Sequence, residues 1–595
     1  MKKYIIERLT KLRALMKQHQ LDAYIIPTND FHGSEYVGDY FKCRSFISGF
    51  SGSAGTVVVT MDEAVLWTDG RYFLQADEEL RGTTIELYKQ GEKGVLNIYE
   101  YLNVKMPKTC NIGFDGRVVS INFVEELKKA LKDHTLKVSY QEDLIDEIWS
   151  DRPSISKQPA YELPVLITGL SRKEKIDLIK DYLNKKSYSA LLLTSLDDIM
   201  WLFNIRGNDV ACNPVVLSYA IVSTDKVYLY LHKEVLSEEL TKNLVNDNIE
   251  IKEYFDIYKD VQTFNESDIV VYQNNKVNYA LSALIRTKKV VNELNYTTVL
   301  KAIKNECEIK NAYIAHIKDG VAVTKFIYWL KQCVGKTTLT EISVADKLES
   351  FRKEQENFKG ISFDTIAGYK EHGAIIHYSA TKETNLEIKP KSFLLVDSGG
   401  QYLEGTTDIT RTIAMGELSQ KEIDYYTLVL KGHLALSNAV FREGTSGAQL
   451  DILARLPLYE KGLNYNHGTG HGVGCLLNVH EGPQNISPST LRAGYPFKEG
   501  MITSNEPGIY IPNEFGVRIE NLIVCKKYLE NEFGVFFKFD DLTLAPYEIN
   551  AINLDLLTSE EKCLIHKYHK RVYNTLKEYL TKEEQTWLLS IVEAI

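Results

Sequence analysis

The sequence predicts an α+β protein in which two related α/β domains precede a C-terminal α+β domain. Two observations support this prediction. A helix, strand and hairpin pattern occurs twice in the first 300 residues, and a long amphipathic helix begins near residue 305, after which the chemistry of the chain changes. A chain of 595 residues is expected to hold about three or four domains of roughly 100–200 residues. The predicted domains span residues 1–155, 156–302 and 303–595.

Composition excludes several classes of protein. Apolar residues make up 44% and charged residues 25% of the chain, which excludes disorder over most of its length. The net charge of −10 argues against a nucleic-acid-binding or anionic-membrane surface, because phosphate contacts need clustered Lys and Arg. No stretch reaches the roughly 18 uncharged apolar residues of a membrane span, and the charged N-terminus lacks an apolar signal region. We therefore expect a cytoplasmic protein without nucleic-acid or membrane partners.

The eight cysteines are scattered and include no CxxC pair. A chain of this length does not need disulfide bonds for stability, and no spacing matches a zinc finger or a redox motif. Reduced, buried thiols are therefore the expectation.

The internal repeat begins with residues 8–28, an amphipathic helix followed by a short apolar strand, and recurs in residues 174–195. Residues 55–68 and 218–231 each predict a β-hairpin with an acidic turn. Between the copies, residues 150–164 contain three prolines and no apolar periodicity, which is typical of a linker. Two copies of one α/β domain are the preferred interpretation, and a chance match of a common pattern is the alternative.

The third domain is predicted to begin with a long helix from Asn305 to about Val334, where apolar residues recur at helical spacing. Only Gly320 interrupts this pattern, and a single glycine is tolerated in a helix. The chain closes with another helix after Thr558, which forms a capping-box pattern with Glu561.

Histidines provide the first indication of a functional site. Three of the 13 histidines, His467, His471 and His480, lie within fourteen residues of a glycine-rich segment. Glycine lets the backbone approach a metal or substrate, and histidine serves as a ligand or a proton carrier. A functional loop is the prediction, and a structural loop with incidental histidines is the alternative.

Carboxylates form a second cluster, in two predicted hairpins. Asp397 ends an apolar strand, and Asp408 lies on its partner strand with Thr410 on the same face, although aspartate is depleted in strands. Glu506 and Glu520 repeat this arrangement, and the alternation in residues 516–524 predicts a strand that contains Glu520. The alternative for the first pair is a turn-capping Asp397 and an edge-facing Asp408.

A metal centre would explain why so many acids converge. Four carboxylates brought together raise one another's pKa unless a cation lies among them. Together with one neutral imidazole they form a mostly hard oxygen donor set, which favours Mn²⁺ over Zn²⁺, Co²⁺ or Fe²⁺. Five side chains can hold two ions if two of the carboxylates bridge them.

The order of these residues resembles the five-ligand pattern of the pita-bread metallopeptidases, which include methionine aminopeptidase, prolidase and X-Pro aminopeptidase (aminopeptidase P). The resemblance is carried by the strings FLLVDSGGQY, GTTDITRT, NHGTGHGVG, TSNEPG and GVRIEN. Upstream, three more strings resemble the first domain of the three-domain X-Pro aminopeptidases: YIIPTNDFHGSEY, FISGFSGSAGT and LWTDGRYFLQA. The segment GAIIHYSAT resembles the first active-site histidine segment of the family.

The resemblance implies a pita-bread catalytic domain that follows two creatinase N-terminal-like domains. It also implies two divalent metal ions. Asp408 and Glu520 would bridge them, Asp397 would complete one metal, and His471 and Glu506 would complete the other.

Further roles are implied around the metals. His377, His467 and His480 would surround the substrate, and Glu506 would take a proton from the attacking water. The alternative for His377 is a buried histidine bonded to the backbone of a GAIIHYS strand. Arg518 would hold a ligand carboxylate in place. In the first domain, Arg71, with His32 and Glu35, either makes structural hydrogen bonds or lines the mouth of the site or a subunit contact. A homodimer is implied by the family alone.

The implied reaction is hydrolysis of the bond between an N-terminal residue and a following proline. This bond is a tertiary amide without an N–H, so it needs a specialised site. A prolidase-type dipeptidase that cuts only Xaa-Pro dipeptides is the alternative, and the duplicated N-terminal domain favours the aminopeptidase. A non-catalytic pita-bread binding protein is disfavoured because the ligand set is complete.

Overall fold

The computed structural model describes residues 2–595, which divide into two compact units. The first unit comprises the residues up to Val165 together with Leu170–Thr298, and the second comprises Leu166–Gly169 and Val299–Ile595. Within residues 2–595, no helix is long and apolar enough to cross a membrane.

The N-terminal part of the first unit is a six-stranded sheet with helices packed on it. Its elements are α1 (Lys2–Gln18), β1 (Ala23–Pro27), α2 (Cys43–Ser48), β2 (Thr56–Thr60), β3 (Ala64–Thr68), α3 (Phe73–Leu80), β4 (Glu86–Lys89), α4 (Ile98–Lys105), β5 (Thr109–Gly113), α5 (Ile121–Ala130), β6 (Thr135–Ser139) and α6 (Leu144–Ile148). The strand order is β4-β3-β2-β1-β5-β6. The pairs β1–β2 and β2–β3 are antiparallel and the others are parallel.

Residues 161–302 contain a second sheet. The elements are β7 (Tyr161–Glu162), α7 (Val165–Thr168), α8 (Arg172–Lys186), β8 (Ala190–Leu193), α9 (Leu196–Phe203), β9 (Ile205–Arg206), β10 (Ser218–Ser223), β11 (Val227–Leu231), α10 (Glu238–Asn246), β12 (Ile249–Glu253), α11 (Ile257–Asp260), β13 (Val270–Tyr272), α12 (Tyr279–Ser282), β14 (Val290–Asn292) and α13 (Tyr296–Ala302).

The second sheet repeats the topology of the first. Its strand order is β12-β11-β10-β8-β13-β14, and its antiparallel and parallel pairs occupy the same places as in the first sheet. In both copies a helix precedes the first strand, and its buried apolar residues recur at a spacing of three or four. The predicted repeat of one α/β domain is therefore confirmed.

His32 is a structural residue of the first unit. Its imidazole is buried where the first α/β domain contacts the second. Nδ1 lies 2.9 Å from the Thr194 carbonyl oxygen, and Nε2 lies 2.6 Å from the Tyr254 hydroxyl. Because a carbonyl only accepts, Nδ1 donates and Nε2 accepts. Burial lowers the pKa of His32, so the ring is a neutral link within this unit.

The second unit carries the acids and histidines of the predicted site. Its elements are α14 (Glu306–Cys333), α15 (Glu341–Lys353), β15 (Phe358–Ile361), β16 (Ile366–Tyr369), β17 (Phe393–Ser398), β18 (Gly400–Tyr402), β19 (Gly405–Thr406), β20 (Ile409–Ala414), α16 (Gln420–Ser437), β21 (Val440–Arg442), α17 (Gly447–Tyr459), β22 (Gly470–Gly472), β23 (Glu481–Ile486), α18 (Thr490–Ala493), β24 (Ile502–Asn505), β25 (Gly508–Ile511), β26 (Phe515–Arg518), β27 (Asn521–Asn531), β28 (Gly534–Asp541), α19 (Ser559–Leu576) and α20 (Lys582–Val592).

Two antiparallel strand pairs in this unit are built alike. In the first, β17 pairs with β20, and Asp397 lies opposite Thr410. In the second, β24 pairs with β27, and Asn505 lies opposite Asn521. A short hairpin, β18–β19 or β25–β26, interrupts the chain between the two strands of each pair. In each pair, an acid at the end of the first strand (Asp397 or Glu506) therefore lies near an acid at the start of the second strand (Asp408 or Glu520).

The helices of the second unit follow the predicted pattern. Helix α14 begins after Asn305 and α19 begins after Thr558, each with a capping box. Helices α14, α16 and α19 share one apolar core through Val321, Leu430 and Val572. These helices support the strands that carry the acids.

Two expectations need correction. Residues 516–524 are not one continuous strand, because β26 pairs with β25 whereas β27 pairs with β24 and β28. Glu520 lies in the break between these two sheets. The cysteines, all within the described residues, are unbridged as expected, but only Cys110 and Cys525 are buried and Cys563 is exposed.

Gly320 offers a test of the packing around α14. A methyl group at Gly320 would overlap the carbonyl oxygen of Leu544. Gly405 of β19 also faces α14, but a methyl group there would lie at an ordinary contact distance of 3.6 Å from the Ala315 side chain. Helix propensity alone favours Ala over Gly by about 1 kcal/mol, but overpacking costs about 1–3 kcal/mol. We expect Gly320→Ala to lower the melting temperature and the control, Gly405→Ala, to leave it unchanged. A Gly320→Ala protein more stable than the parent would contradict this packing.

Candidate metal centre

Three of the predicted ligands lie together in the second unit. Asp408, His471 and Glu520 each place one ligand atom within 4.8 Å of the others. His471 Nε2 lies 3.4 Å from Asp408 Oδ2 and 3.5 Å from Glu506 Oε1, so Glu506 joins the cluster. These four side chains come from β22 and from the ends of the two acid-bearing strand pairs.

Asp397 joins the same cluster through hydrogen bonds. The Arg518 guanidinium donates through Nη2 to Asp397 Oδ2 at 2.6 Å and through Nε to Thr410 Oγ1 at 3.1 Å. The Thr410 hydroxyl in turn donates to Glu520 Oε2 at 2.6 Å. All five predicted ligands are therefore linked, directly or through these two side chains.

The backbone around His471 orients its ring. The His471 N–H donates to Ser504 Oγ at 3.0 Å, and Nδ1 lies 3.1 Å from the Gly472 carbonyl oxygen. With Nδ1 directed at the Gly472 carbonyl oxygen, Nε2 is the ring nitrogen that faces the acids, and its neutral form can bind a metal. A methyl group at Gly470 would overlap the Ser504 carbonyl oxygen, so glycine is needed where β22 crosses β24.

The acids are buried without enough donors to stabilise their charges. Asp397 Oδ1 and Asp408 Oδ1 are inaccessible to solvent and have no hydrogen-bond partner among residues 2–595. Burial and the neighbouring carboxylates, Asp408 first, raise the pKa of Glu520 well above its usual range. Burial also raises the pKa of Asp397 and of Glu506 despite the opposing charges nearby.

A cation among these oxygens removes the conflict. An uncompensated buried charge is costly, and four carboxylates with one imidazole are a donor set that suits hard or borderline divalent metals. Burial lowers the pKa of His471, but the hydrogen bond to Asp408 and the charge of Glu506 raise it to about 9 overall. The acids thus stabilise positive charge at this point, and the residues fit a divalent metal centre.

The predicted histidines lie around the centre. The His480 ring packs against the His471 ring with centroids 4.3 Å apart, and His467 Nε2 lies 2.8 Å from the Tyr510 hydroxyl. His377 follows Ile376, whose carbonyl oxygen lies 3.5 Å from Arg518 Nη2. His480 therefore contacts a predicted ligand directly, His467 is linked to Arg518 through Tyr510, and His377 adjoins a carbonyl group near Arg518.

The backbone of these histidines differs in part from the expectation. The alternative considered for His377 placed it in a strand, but the GAIIHYS segment begins in the last two residues of a 3₁₀-helix (Lys370–Ala374), and His377 lies in the turn that follows. The glycine-rich segment is a loop at His467 and His480, whereas His471 lies on the short strand β22. In the first unit, Arg71 donates to Asp69 at 2.8–2.9 Å and lies 3.8 Å from Glu35.

Sequence reasoning missed Thr410 and Tyr510. Thr410 was predicted to share a face with Asp408, which was a sufficient signal for a supporting role. The Tyr510 hydroxyl accepts from Arg518 Nη1 at 2.7 Å and bonds His467. Its role depends on the β25–β26 register, in which Gly508 pairs with Arg518 and Tyr510 with Gly516.

Comparison with protein families agrees with this arrangement. A family model for metallopeptidase family M24 matches residues 310–527, and one for the C-terminal region of peptidase M24 matches residues 535–595. Two models for the creatinase/prolidase N-terminal domain match residues 8–148 and 151–308. The expected fold class, two creatinase N-terminal-like domains before a pita-bread domain, is confirmed.

Individual relatives extend over nearly the whole chain. Xaa-Pro aminopeptidase 1 of Dictyostelium discoideum is 39% identical over 96% of this chain and 92% of its own length. The crystal structure of an X-prolyl aminopeptidase from Caenorhabditis elegans, described as a cytosolic enzyme with a di-nuclear active site, has 34% identity and a TM-score of 0.95 over 99% of both chains.

A shorter enzyme matches less of the chain. The Xaa-Pro dipeptidase of Bacillus anthracis has 26% identity and a TM-score of 0.51, and it covers 64% of this chain and 99% of its own. The match at full length is therefore with the aminopeptidases. The chain belongs to metallopeptidase family M24, within its Xaa-Pro aminopeptidase (aminopeptidase P) group.

Proposed function

We propose that this protein is a two-metal exopeptidase that hydrolyses the bond between an N-terminal residue and a following proline. The observation that carries the proposal is the convergence of Asp397, Asp408, His471, Glu506 and Glu520 in one buried cluster. Full-length relatives named Xaa-Pro aminopeptidase support the substrate class.

The proposed ligand roles follow the chain's own contacts. Asp408 and Glu520, which lie with His471 in the tightest part of the cluster, would each contribute to both cation sites. Asp397 would complete one site, and His471 and Glu506 would complete the other. When bound, divalent cations supply Lewis acidity, which lowers the pKa of a water molecule and polarises a carbonyl oxygen. The oxygen-rich donor set favours Mn²⁺, with Zn²⁺ or Co²⁺ as the alternatives.

The other side chains bind and move protons in this proposal. Glu506, whose side chain is 18% exposed, takes a proton from the attacking water and delivers it to the leaving nitrogen. His480 or His377 donates a hydrogen bond to the oxyanion that develops on the scissile carbonyl. Carboxylates near the metals bind the free N-terminal ammonium group of the peptide.

A connected set of hydrogen bonds orients the centre. His467 contacts the Tyr510 hydroxyl, which accepts from Arg518, which donates to Asp397. Fixing the acid in this way removes the need to reorganise during catalysis. His467 is thereby linked to the ligand set, and its side chain remains half-buried.

A prolidase-type dipeptidase is the alternative activity. The Bacillus anthracis dipeptidase covers 64% of this chain, whereas the relatives named aminopeptidase cover the duplicated N-terminal domain as well. The aminopeptidase is therefore favoured. The complete ligand set disfavours a non-catalytic binding protein.

Three further proposals rest on the family. The protein is cytoplasmic, in keeping with the Caenorhabditis elegans relative, which is described as a cytosolic enzyme. It is a homodimer, and Arg71 of the first unit lines the mouth of the site or a subunit contact. The pair of hydrogen bonds from Arg71 to Asp69 also fits a purely structural role.

Removal of metal tests the proposed cofactor. Chelation should abolish activity, because the acids then lack the cations on which the chemistry depends, and Mn²⁺ should restore it best. Activity on an Xaa-Pro peptide, measured after dialysis against chelator and after adding back each metal, checks this. Full activity in metal-free protein would refute the metal centre, whereas better recovery with Zn²⁺ or Co²⁺ would change only the identity of the metal.

Peptide length and the free amine test the proposed substrate. We expect Xaa-Pro-Yaa tripeptides to be cut between Xaa and Pro, and their N-acetylated forms to be resistant because the ammonium group is lost. Mass spectrometry of the products measures both the position of cleavage and the resistance of the acetylated peptides. Cleavage restricted to Xaa-Pro dipeptides would favour the prolidase, and equal cleavage of acetylated peptides would show that no free amine is bound.

His377 and Glu506 separate catalysis from metal binding. His377→Ala removes no proposed ligand, so metal content should be unchanged while kcat falls by about 10²–10⁴-fold. Glu506→Gln should lower both metal content and kcat. Half-buried His566, whose Nδ1 bonds the Val592 carbonyl oxygen at 3.2 Å, is a matched control, and His566→Ala should keep kcat. A normal kcat with a lowered melting temperature in His377→Ala would make His377 structural.

A further inference from the structure

Each of the three histidines proposed to face the substrate lies in a loop or turn, and each of those segments is held by a charged side chain buried behind it. Loops are more mobile than the helices and strands that they connect. A catalytic side chain must nevertheless be held within about 0.5 Å of its working position. These three charged residues are Glu341, Arg455 and Lys301, and we call them the clamps.

The first clamp, Glu341, is fully buried at the start of α15. Its two oxygens accept hydrogen bonds from the residues on both sides of His377: from the Tyr369 N–H at 2.8 Å, His372 Nδ1 at 2.9 Å, the Tyr378 hydroxyl at 2.8 Å and the Leu386 N–H at 2.9 Å. One carboxylate therefore fixes where the His377 turn begins and ends.

The second clamp, Arg455, is 2% exposed on α17 and pairs with Asp451 at 2.7 Å. Its guanidinium donates to the carbonyl oxygens of Tyr465 and His467, each at 2.7 Å, and it stacks over the Tyr465 ring at 3.8 Å. Asp451 also accepts from the Thr469 hydroxyl at 2.5 Å. The backbone of His467 itself is thus held by a buried cation.

The third clamp, Lys301, lies in the last turn of α13 and is buried. Its ammonium group donates to Glu481 Oε2 at 2.7 Å, and the two side chains are 2% and 1% exposed. Glu481 follows His480 directly, and its other oxygen accepts from the Asn478 N–H at 3.2 Å. The buried ion pair therefore fixes both ends of the turn that carries His480.

We propose that each clamp is a positioning residue for its own histidine: Glu341 for His377, Arg455 for His467 and Lys301 for His480. This inference rests on the proposed function of those histidines. Burying a charge is expensive, and a buried ion pair often adds no stability over apolar packing. Charge-assisted hydrogen bonds are, however, short and directional, which suits them to holding an irregular backbone in one conformation.

Double-mutant cycles test the pairing. The clamp variants are Glu341→Gln, Arg455→Lys and Lys301→Met, each made alone and with each of the three His→Ala substitutions. We expect every clamp variant to lower kcat on an Xaa-Pro-Yaa peptide about 10–100-fold, because small misplacements of a catalytic group are this costly. Combined with Ala at its own histidine, a clamp variant should cost nothing further. Combined with Ala at another histidine, the two losses should multiply.

The cross-pairs are internal controls, and Glu422→Gln is an external one. Glu422 is a buried carboxylate that caps α16 through the Ser419 N–H at 2.7 Å, so its loss should lower the melting temperature and leave kcat unchanged. Metal content is measured on every preparation and should stay constant. If Lys301→Met does not fold, Lys301→Arg keeps the charge and moves the donor.

A crystal structure of each clamp variant gives a readout independent of activity. The variant's own histidine segment should be displaced or disordered while the other two stay in place. Any one of three results would overturn the proposal. The losses in kcat could multiply in all pairs alike, kcat could be unchanged in every clamp variant, or the histidine segments could be undisturbed in the crystals. A parent protein that cleaves no Xaa-Pro peptide would refute the proposed function instead, and the crystal structures would still decide the positioning role.

Discussion

Mutual repulsion among buried carboxylates is the constraint on which the second unit depends. Asp397, Asp408, Glu506 and Glu520 converge in a largely buried site, and burial raises the pKa of three of them. The protein places cationic and hydroxyl donors among the acids, chiefly Arg518 and Thr410. These donors leave Asp397 Oδ1 and Asp408 Oδ1 without hydrogen-bond partners. Divalent cations would balance the negative charge that remains.

The strands and side chains around the acids also hold these carboxylates in place. Strand β20 presents Thr410 to Glu520 on one side, while Arg411 on the other side donates to the Glu520 carbonyl oxygen at 2.7 Å and to Asn521 Oδ1 at 2.9 Å. The acids lie at strand ends beside inserted hairpins, where the backbone can turn them toward a common point. The histidines then approach from separate segments, and charged groups deeper in the unit support each of them.

Much of this organisation could be predicted from the sequence. The repeated domain and the long helices follow from apolar periodicity, which depends only on local spacing. The cluster of acids and histidines was predicted from their residue types and positions, because such residues in a glycine-rich context are rarely needed for packing. The ligand roles and the role of Arg518 were implied by the family resemblance.

The parts that failed depend on pairing between distant segments. The alternation in residues 516–524 continues across a change of sheet, and the apolar GAIIHYS segment gives no sign of its 3₁₀-helix and turn. Tyr510 is one of 36 tyrosines, and only the register of its hairpin reveals its contact with Arg518.

The central claim is that these five residues hold two cations that balance their charge. Anomalous diffraction from crystals of the full-length protein grown with Mn²⁺, collected at the manganese absorption edge, tests it most directly. Two peaks should appear, both bonded to Asp408 and Glu520, one also bonded to Asp397 and the other to His471 and Glu506. No peak among these side chains, or peaks elsewhere in the unit, would contradict the account.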